Sequence, residues 1–249
     1  STPLYSSAAS DVYKRQGEKI MKKFLTVALA GVLAASMLFT GCSKKAESKV
    51  PDKLIVGTNA EFPPFEYMND KKQPEGFDIA MIKEIGKRMG KKVEIKNMEF
   101  KSLIGAMESD SINAIIAGMT KTEKREKAVD FSDSYYTTNQ AIILKKDSKI
   151  TKLAQLDGKK IGVQEGTTGD LISSGDKFGD GKKAKVLVKG AKVKRFKKGV
   201  DAVMDLKNGS VDAVVIDELT ANEFVKKNAK KLKIVIDSCL LYTSDAADE

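Results

Sequence analysis

The chain has 249 residues, of which 41% are hydrophobic and 31% charged, and its formal net charge is +10. It contains no His, which excludes Ser-His-Asp and Cys-His catalysis and the commonest metal ligand, so we expect no metal and no other cofactor. The lysines are scattered through helical patterns with few aromatic residues between them, which is typical of a solvated basic surface and not of a nucleic-acid site.

The two ends of the chain resemble inverted copies of one nucleotide element. Asp11–Gln16 is the translation of GAT-GTG-TAT-AAG-AGA-CAG. The reverse complement, read one base later and completed by a T, gives Cys239–Ser244. We interpret both as a sequencing-library adapter. Residues 1–20 and 239–249 are therefore left out of the fold prediction, and Met21 is expected to be the natural start.

The segment after Met21 predicts the location of the protein. A short basic region precedes an apolar run, Phe24–Phe39, which is too short for a secure membrane span. The run ends in Leu38-Phe39-Thr40-Gly41-Cys42, which resembles the lipobox of a lipoprotein signal peptide over residues 21–41. Cys42 is then the lipidated residue, residues 42–52 are a tether, and the protein is extracytoplasmic and lipid-anchored to the cell membrane. A plain secretory signal with an incidental Cys is the alternative.

Residues 53–139 predict a first α/β lobe. Lys53–Thr58 is typical of a strand. From Asp78 to Met89 the apolar positions keep helical spacing, and Gly90 is a natural stop. The further predicted elements are a strand through Val93, Ile95 and Met98, a helix over Leu103–Glu108 and a buried strand over Ala114–Ala117.

Residues 140–238 repeat this pattern and predict a second lobe. Gln140–Leu144 is expected to be the strand that carries the chain from one lobe to the other. The further predicted elements are strands over Lys160–Val163 and Ala213–Ile216 and helices over Val200–Lys207 and Glu218–Lys227. Ligands in such α/β folds bind outside the carboxyl ends of the strands, so the loops there are the candidate site.

Four such loops carry distinctive residues. They are Thr58–Tyr67, the stretch from Ala117 through Arg125 to Tyr136, Gln164–Asp170 and Val215–Glu218. Together, and in this order, they resemble family 3 of the bacterial extracellular solute-binding proteins, which serve ABC importers of polar and basic amino acids. The resemblance extends over residues 53–237. It implies a two-lobed, type II periplasmic-binding-protein fold with a hinge, acting as a monomer with a permease and an ATPase.

The resemblance also implies how an L-amino acid is bound. Arg125 holds the α-carboxylate through its planar fork of donors, and Asp217 from the other lobe accepts the α-ammonium. Backbone N–H groups near Thr120 and Thr168 complete the cradle, and a Gly-rich helix start over Gly166–Asp170 is expected to offer free N–H groups. The full implied set is Asn59, Glu61, Phe62, Phe100, Gly118, Thr120, Arg125, Gln164, Thr167, Thr168 and Asp217.

The ligand side chain is less narrowly defined. Glu61 favours a distal cation, as in Lys or Arg, whereas Asn59 and Gln164 also suit Gln or another neutral polar ligand. Taken alone, these residues have simpler interpretations. Arg125 is compatible with a solvated helix start, Asp217 with a helix N-cap, Phe100 with a core position and Glu61 with a bare surface acid.

Two departures from the family pattern and two other function classes remain. The stretch from Gly175 to Lys198 is long and basic, with a small duplication that begins at Lys182. The strand and helix that complete the first lobe are expected to be missing after Ser238.

The alternatives are a cyclohexadienyl-type dehydratase, with Glu61 or Glu165 transferring a proton, and the sensor domain of a membrane receptor.

Overall fold

The computed structural model describes residues 51–175 and 188–237. The predicted signal peptide, Cys42, the start of the duplication at Lys182 and both chain ends lie outside these residues. The described residues form two α/β lobes, the first built on a three-stranded sheet and the second on a five-stranded sheet. No helix in these two ranges is long and apolar enough to cross a bilayer.

The sheet of the first lobe consists of parallel strands in the order β5-β1-β6. Their bounds are β1 Lys53–Thr58, β5 Lys92–Asn97 and β6 Ala114–Ile115. The prediction for β6 was two residues too long at its end. The chain bends at Gly118, whose φ is +52° and whose N–H donates to Asp78 Oδ2 at 2.8 Å, so it leaves the ladder.

The helices of the first lobe are α1 Phe77–Arg88, α2 Leu103–Glu108 and α3 Glu123–Glu126, with a 3-10 turn over Phe100–Ser102. In α1 the predicted apolar face is only partly correct. Ile79 and Ile82 are buried, but Ile85 is 39% exposed. Strand β5 contacts the helix at Gly86 instead, where an added Cβ would lie 2.2 Å from Val93 Cγ2. This close approach directs Ile85 towards solvent.

A small antiparallel sheet in the first lobe was not predicted. It consists of β2 Glu61–Phe62, β3 Glu66–Met68 and β4 Pro74–Glu75. Strands of two or three residues are too short to show the alternation from which strands are predicted. This sheet positions the buried rings of Phe62 and Phe65, which join the apolar core of the second lobe.

The sheet of the second lobe has the order β11-β7-β10-β8-β9, with β7 antiparallel to both of its neighbours. The strands are β7 Gln140–Lys145, β8 Lys160–Gln164, β9 Lys192–Phe196, β10 Ala213–Asp217 and β11 Leu232–Val235. Strands β7 and β10 are buried on both faces, as their continuous apolar runs predict. Strands β9 and β11 were not predicted, because their sequences alternate Lys with apolar residues at two or three positions only.

Helices cover both faces of this sheet. They are α4 Thr168–Ser174, α5 Gly199–Asn208 and α6 Glu218–Lys226, with a 3-10 turn over Leu153–Leu156. Successive residues of β7 alternate between two apolar clusters, since Ile143 packs with α5 and α6 and Ile142 with the opposite face. The carboxyl ends of β8 and β10 therefore point Gln164 and Asp217 towards the first lobe.

A buried carboxyl pair lies under the first lobe's site loop. Glu66 and Asp78 are both fully buried, and within the described residues no N–H or O–H group donates to the Glu66 oxygens. Burial, followed by the charge of Asp78, raises the pKa of Glu66 to about 11. Glu66 thus keeps its proton in the folded protein. Asp78 Oδ2 accepts from the Tyr135 hydroxyl at 2.9 Å.

The substitution Glu66→Gln should stabilise the protein at neutral pH. Above the ordinary pKa of 4.5 the unfolded chain ionises at Glu66 while the folded chain keeps the proton, so the wild type loses free energy of unfolding as pH rises. The amide supplies a permanent donor and has no such loss. Urea unfolding should show that the free energy of unfolding of Glu66→Gln, relative to that of the wild type, rises by about 2–3 kcal/mol between pH 4 and pH 7.

The control is Glu108→Gln, an exposed acid on α2, which should follow the wild type at every pH. Parallel pH profiles for Glu66→Gln and the wild type would show that Glu66 is ionised in the folded protein.

Candidate functional site

A small cavity lies where the loops of the two lobes meet. Its volume is about 10 Å³, about the space that one water molecule needs. The residues that line it are Phe62, Phe100, Ala117, Gly118, Thr120, Arg125, Thr167, Thr168 and Asp217. All except Ala117 belong to the set predicted from the sequence, so the fold brings most of that set together.

Arg125 crosses from the first lobe to the second. It lies on α3, whose first turn is capped by Thr122, the side chain of which accepts from the Arg125 N–H at 3.3 Å. The guanidinium donates to the Thr120 carbonyl at 2.5 Å and to the Gly166 carbonyl at 3.0 Å, and it lies 5.4 Å from the centroid of the Phe100 ring. Arg125 is only 6% exposed, so it is not a solvated helix residue.

Asp217 brings the opposite charge from the second lobe. It is the last residue of β10 and occupies the N-cap position of α6, but its side chain makes no capping bond to that helix. Gln140 Nε2 donates to Asp217 Oδ1 at 2.6 Å instead. Burial raises the pKa of Asp217 to about 7, although the Gln140 bond and the charge of Arg125 act in the other direction.

The start of α4 differs in one respect from the prediction. Thr167 caps the helix by accepting from the Asp170 N–H at 3.4 Å. The Gly166 N–H, predicted to be free, donates to Asp170 Oδ2 at 3.0 Å, and Gly166 contributes its carbonyl to the site. The hydroxyl of Thr168 meets that of Thr120 across the lobes at 3.2 Å.

Three predicted residues do not line the cavity and lie beside it. Gln164 Nε2 donates to Asn59 Oδ1 at 2.7 Å, and Asn59 Nδ2 donates to the Met98 carbonyl at 2.8 Å. Glu61 Oε1 contacts Lys198 Nζ at 2.6 Å. These residues therefore connect the two lobes at the edge of the site, and Glu61 is not a bare surface acid.

Ion pairs continue this edge. Three pairs join the lobes, namely Glu61–Lys198 at 2.6 Å, Glu99–Lys197 at 2.6 Å and Lys101–Glu165 at 3.0 Å. All are partly exposed, and exposed pairs each stabilise by only about 0–1 kcal/mol. We call these three pairs the rim. Because its pairs are partly exposed, the rim contributes little to the stability of the contact between the lobes.

A larger cavity of about 410 Å³ adjoins the small one and shares Phe62, Ala117, Gly118, Thr120 and Asp217 with it. It is lined mainly by residues 129–138 of the first lobe, and Arg125 does not line it. We place the candidate site in the small cavity because the buried Arg125 and Asp217 meet there.

Sequence reasoning missed Gln140 and Lys198. Gln140 is the single polar residue at the start of an apolar strand, and that is the signal that marks it. Lys198 is one of many lysines, and nothing in its local sequence distinguishes it.

Residues 54–243 match the family described as bacterial extracellular solute-binding proteins, family 3. The chain belongs to this family. It is 35% identical over 210 residues to the arginine-binding extracellular protein ArtP of Bacillus subtilis (strain 168), a match that covers 84% of this chain and 78% of the relative.

Solved structures agree with this family membership and with the two-lobed fold. An ancestral arginine-binding protein bound to arginine is 43% identical, with a TM-score of 0.67 over 74% of this chain and 79% of the other. An ancestral arginine-binding protein bound to glutamine is 41% identical, with a TM-score of 0.68 over 78% and 82%.

The titration of Asp217 can be measured directly in this family member. In carboxyl-labelled protein, the ¹³C resonance that Asp217→Asn removes should titrate near pH 7. The substitution Gln140→Leu should raise the midpoint, because the amide donor stabilises the carboxylate. Asp205→Asn, on the outer end of α5, serves as the assignment control. A midpoint near the ordinary aspartate value of about 4 would contradict this account of burial.

Proposed function

We propose that this chain is the substrate-binding component of an amino-acid ABC importer. It captures a free L-amino acid between its lobes and delivers it to a permease that an ATPase drives. The observation that carries the proposal is the buried pair Arg125 and Asp217, which face one cavity from opposite lobes. A zwitterion taken out of water needs a partner for each of its charges, and these two side chains match its two ends.

The contacts described above suggest what each group does on binding. In this structure the Arg125 guanidinium donates to the Thr120 and Gly166 carbonyls, and on binding the ligand carboxylate replaces these carbonyls as the acceptor. The Thr120 and Thr168 hydroxyls lie beside the carboxylate. The ligand ammonium pairs with Asp217 and keeps it ionised. The Phe62 and Phe100 rings pack against the ligand side chain.

Entry of the ligand requires a movement of the lobes. A cavity of about 10 Å³ cannot hold an amino acid. The rim, the bond between the two threonine hydroxyls, the Gln164–Asn59 bond and the Arg125–Gly166 bond join the lobes and must open first. The lobes then close again around the ligand.

We further propose that the ligand is a basic or polar amino acid, with Arg, Lys and Gln as the leading candidates. ArtP is named as an arginine-binding protein, and the two ancestral proteins are described with arginine and with glutamine. An acid and two amides, Glu61, Asn59 and Gln164, lie beside the cavity and can accept or donate to a polar side chain.

Binding without chemistry is part of the proposal, so the chain is not an enzyme and the amino acid leaves unchanged. The acids considered for proton transfer, Glu61 and Glu165, are each engaged with a lysine of the facing lobe. We also propose that the protein acts as a monomer outside the cytoplasm, anchored through lipid on Cys42.

A panel of L-amino acids should identify the ligand by thermal shift. A true ligand at a thousand times its Kd adds roughly 4 kcal/mol to the stability of the purified protein. The substitution Asp217→Asn should weaken binding by on the order of 3 kcal/mol, about a hundredfold, because Asp217 is the one acid among the described residues that line the small cavity. The control Glu223→Gln changes an acid of α6 that pairs with Lys226 and does not line the small cavity, so it should bind like the wild type.

No shift with any amino acid, in a sample that unfolds cooperatively, would refute the assignment of Arg125 and Asp217 as a zwitterion clamp.

The lipid anchor is tested by labelling in cells. Wild-type protein should incorporate an alkyne fatty acid and sediment with membranes, whereas Cys42→Ser should do neither, because the thiol is the acylated group. Cys239→Ser is the matched control and should keep both properties. Label that persists in Cys42→Ser would contradict the anchor and leave the binding proposal intact.

A further inference from the structure

Lys198 occupies a position that a helix disfavours. It is the N-cap of α5, and its side chain makes no capping bond. Ser, Thr, Asp and Asn are preferred there because their oxygens accept from the free N–H groups of the first turn. A positive charge is also repelled by the positive end of the helix dipole. Such a local cost indicates that the residue serves another purpose.

The ammonium of Lys198 points across the cleft. Its Nζ contacts Glu61 Oε1 at 2.6 Å, and the Lys198 and Glu61 side chains are 49% and 23% exposed. Glu61 directly precedes Phe62, which lines the cavity. The Glu61 pair and the Gln164–Asn59 bond therefore lie together at the side of the site where a ligand side chain would emerge.

We infer that Lys198 is a specificity-determining residue that competes with a cationic ligand side chain for Glu61. The inference rests on the proposed function. A ligand ending in a guanidinium or ammonium must displace Lys198 before it can pair with Glu61. A ligand ending in a neutral amide leaves the Glu61–Lys198 pair in place. Lys198 thereby lowers the ratio of the affinity for basic ligands to the affinity for amide ligands. The effect is modest because the Glu61–Lys198 pair is partly exposed.

The substitution Lys198→Ser frees Glu61 and supplies a good N-cap, so the helix is expected to fold. Isothermal titration at fixed ionic strength should show the affinity for L-arginine, relative to that for L-glutamine, rising about fivefold. The ratio is the informative quantity, because effects of the lost charge on folding and on closure in general are common to both ligands and cancel in it.

Lys197→Ser is the matched control. Lys197 Nζ contacts Glu99 Oε1 at 2.6 Å, also across the lobes, so this substitution removes the same charge and a similar ion pair from the rim. It should leave the arginine-to-glutamine ratio within twofold of the wild type. An equal rise in both variants would mean a general effect of charge and would overturn the inference.

A double-mutant cycle with Glu61→Gln completes the test. In Glu61→Gln the affinity for L-arginine should fall, and adding Lys198→Ser should no longer raise the ratio. If the wild type binds both amino acids and Lys198→Ser leaves the ratio unchanged, the inference fails while the proposed function stands. If the wild type binds neither, both fail.

Discussion

The structure depends on two opposite charges, Arg125 and Asp217, that are buried on separate lobes. A buried charge is costly unless hydrogen bonds replace the water it has lost. Carbonyls from both lobes accept from the guanidinium, and Gln140 donates to the carboxylate, which nevertheless has a pKa near 7. The carboxylate is thus only partly compensated. A ligand that carries both charges would relieve this cost most completely, which is the physical basis of the proposed selection of zwitterions.

Much of the fold could be predicted from the sequence, because long elements display their periodicity. Strand β1 and helix α2 were predicted with the observed bounds, and β7, β8 and β10 were one residue short at the end. Short strands have no period to detect, so the β2–β4 sheet was missed. The helical spacing of the apolar positions in α1 does not show which of them are buried, because it does not reveal that β5 approaches α1 at Gly86 and leaves Ile85 exposed.

The candidate site was predicted through the ordered resemblance of four loops and not through local patterns. Its defining contacts join residues far apart in the chain, such as Arg125 with Gly166, 41 positions apart, and Gln140 with Asp217, 77 positions apart. No periodicity encodes such pairs. The Glu61–Lys198 contact spans 137 positions. Only the three-dimensional arrangement shows that Glu61, which the sequence suggested for binding a cationic ligand side chain, already pairs with Lys198.

The hydrogen bond between Gly118 and the buried carboxyl pair has a kinetic consequence. The Gly118 N–H donates to Oδ2 of the fully buried Asp78, and the nearby Glu66 is also fully buried and keeps its proton. The loop proposed to meet the ligand carboxylate is therefore fixed to the buried part of its lobe at Gly118. Under the proposed function this loop does not need to reorganise when an amino acid arrives, and the association rate then depends on how often the lobes separate. Competing amino acids should accordingly associate at similar rates and differ chiefly in residence time.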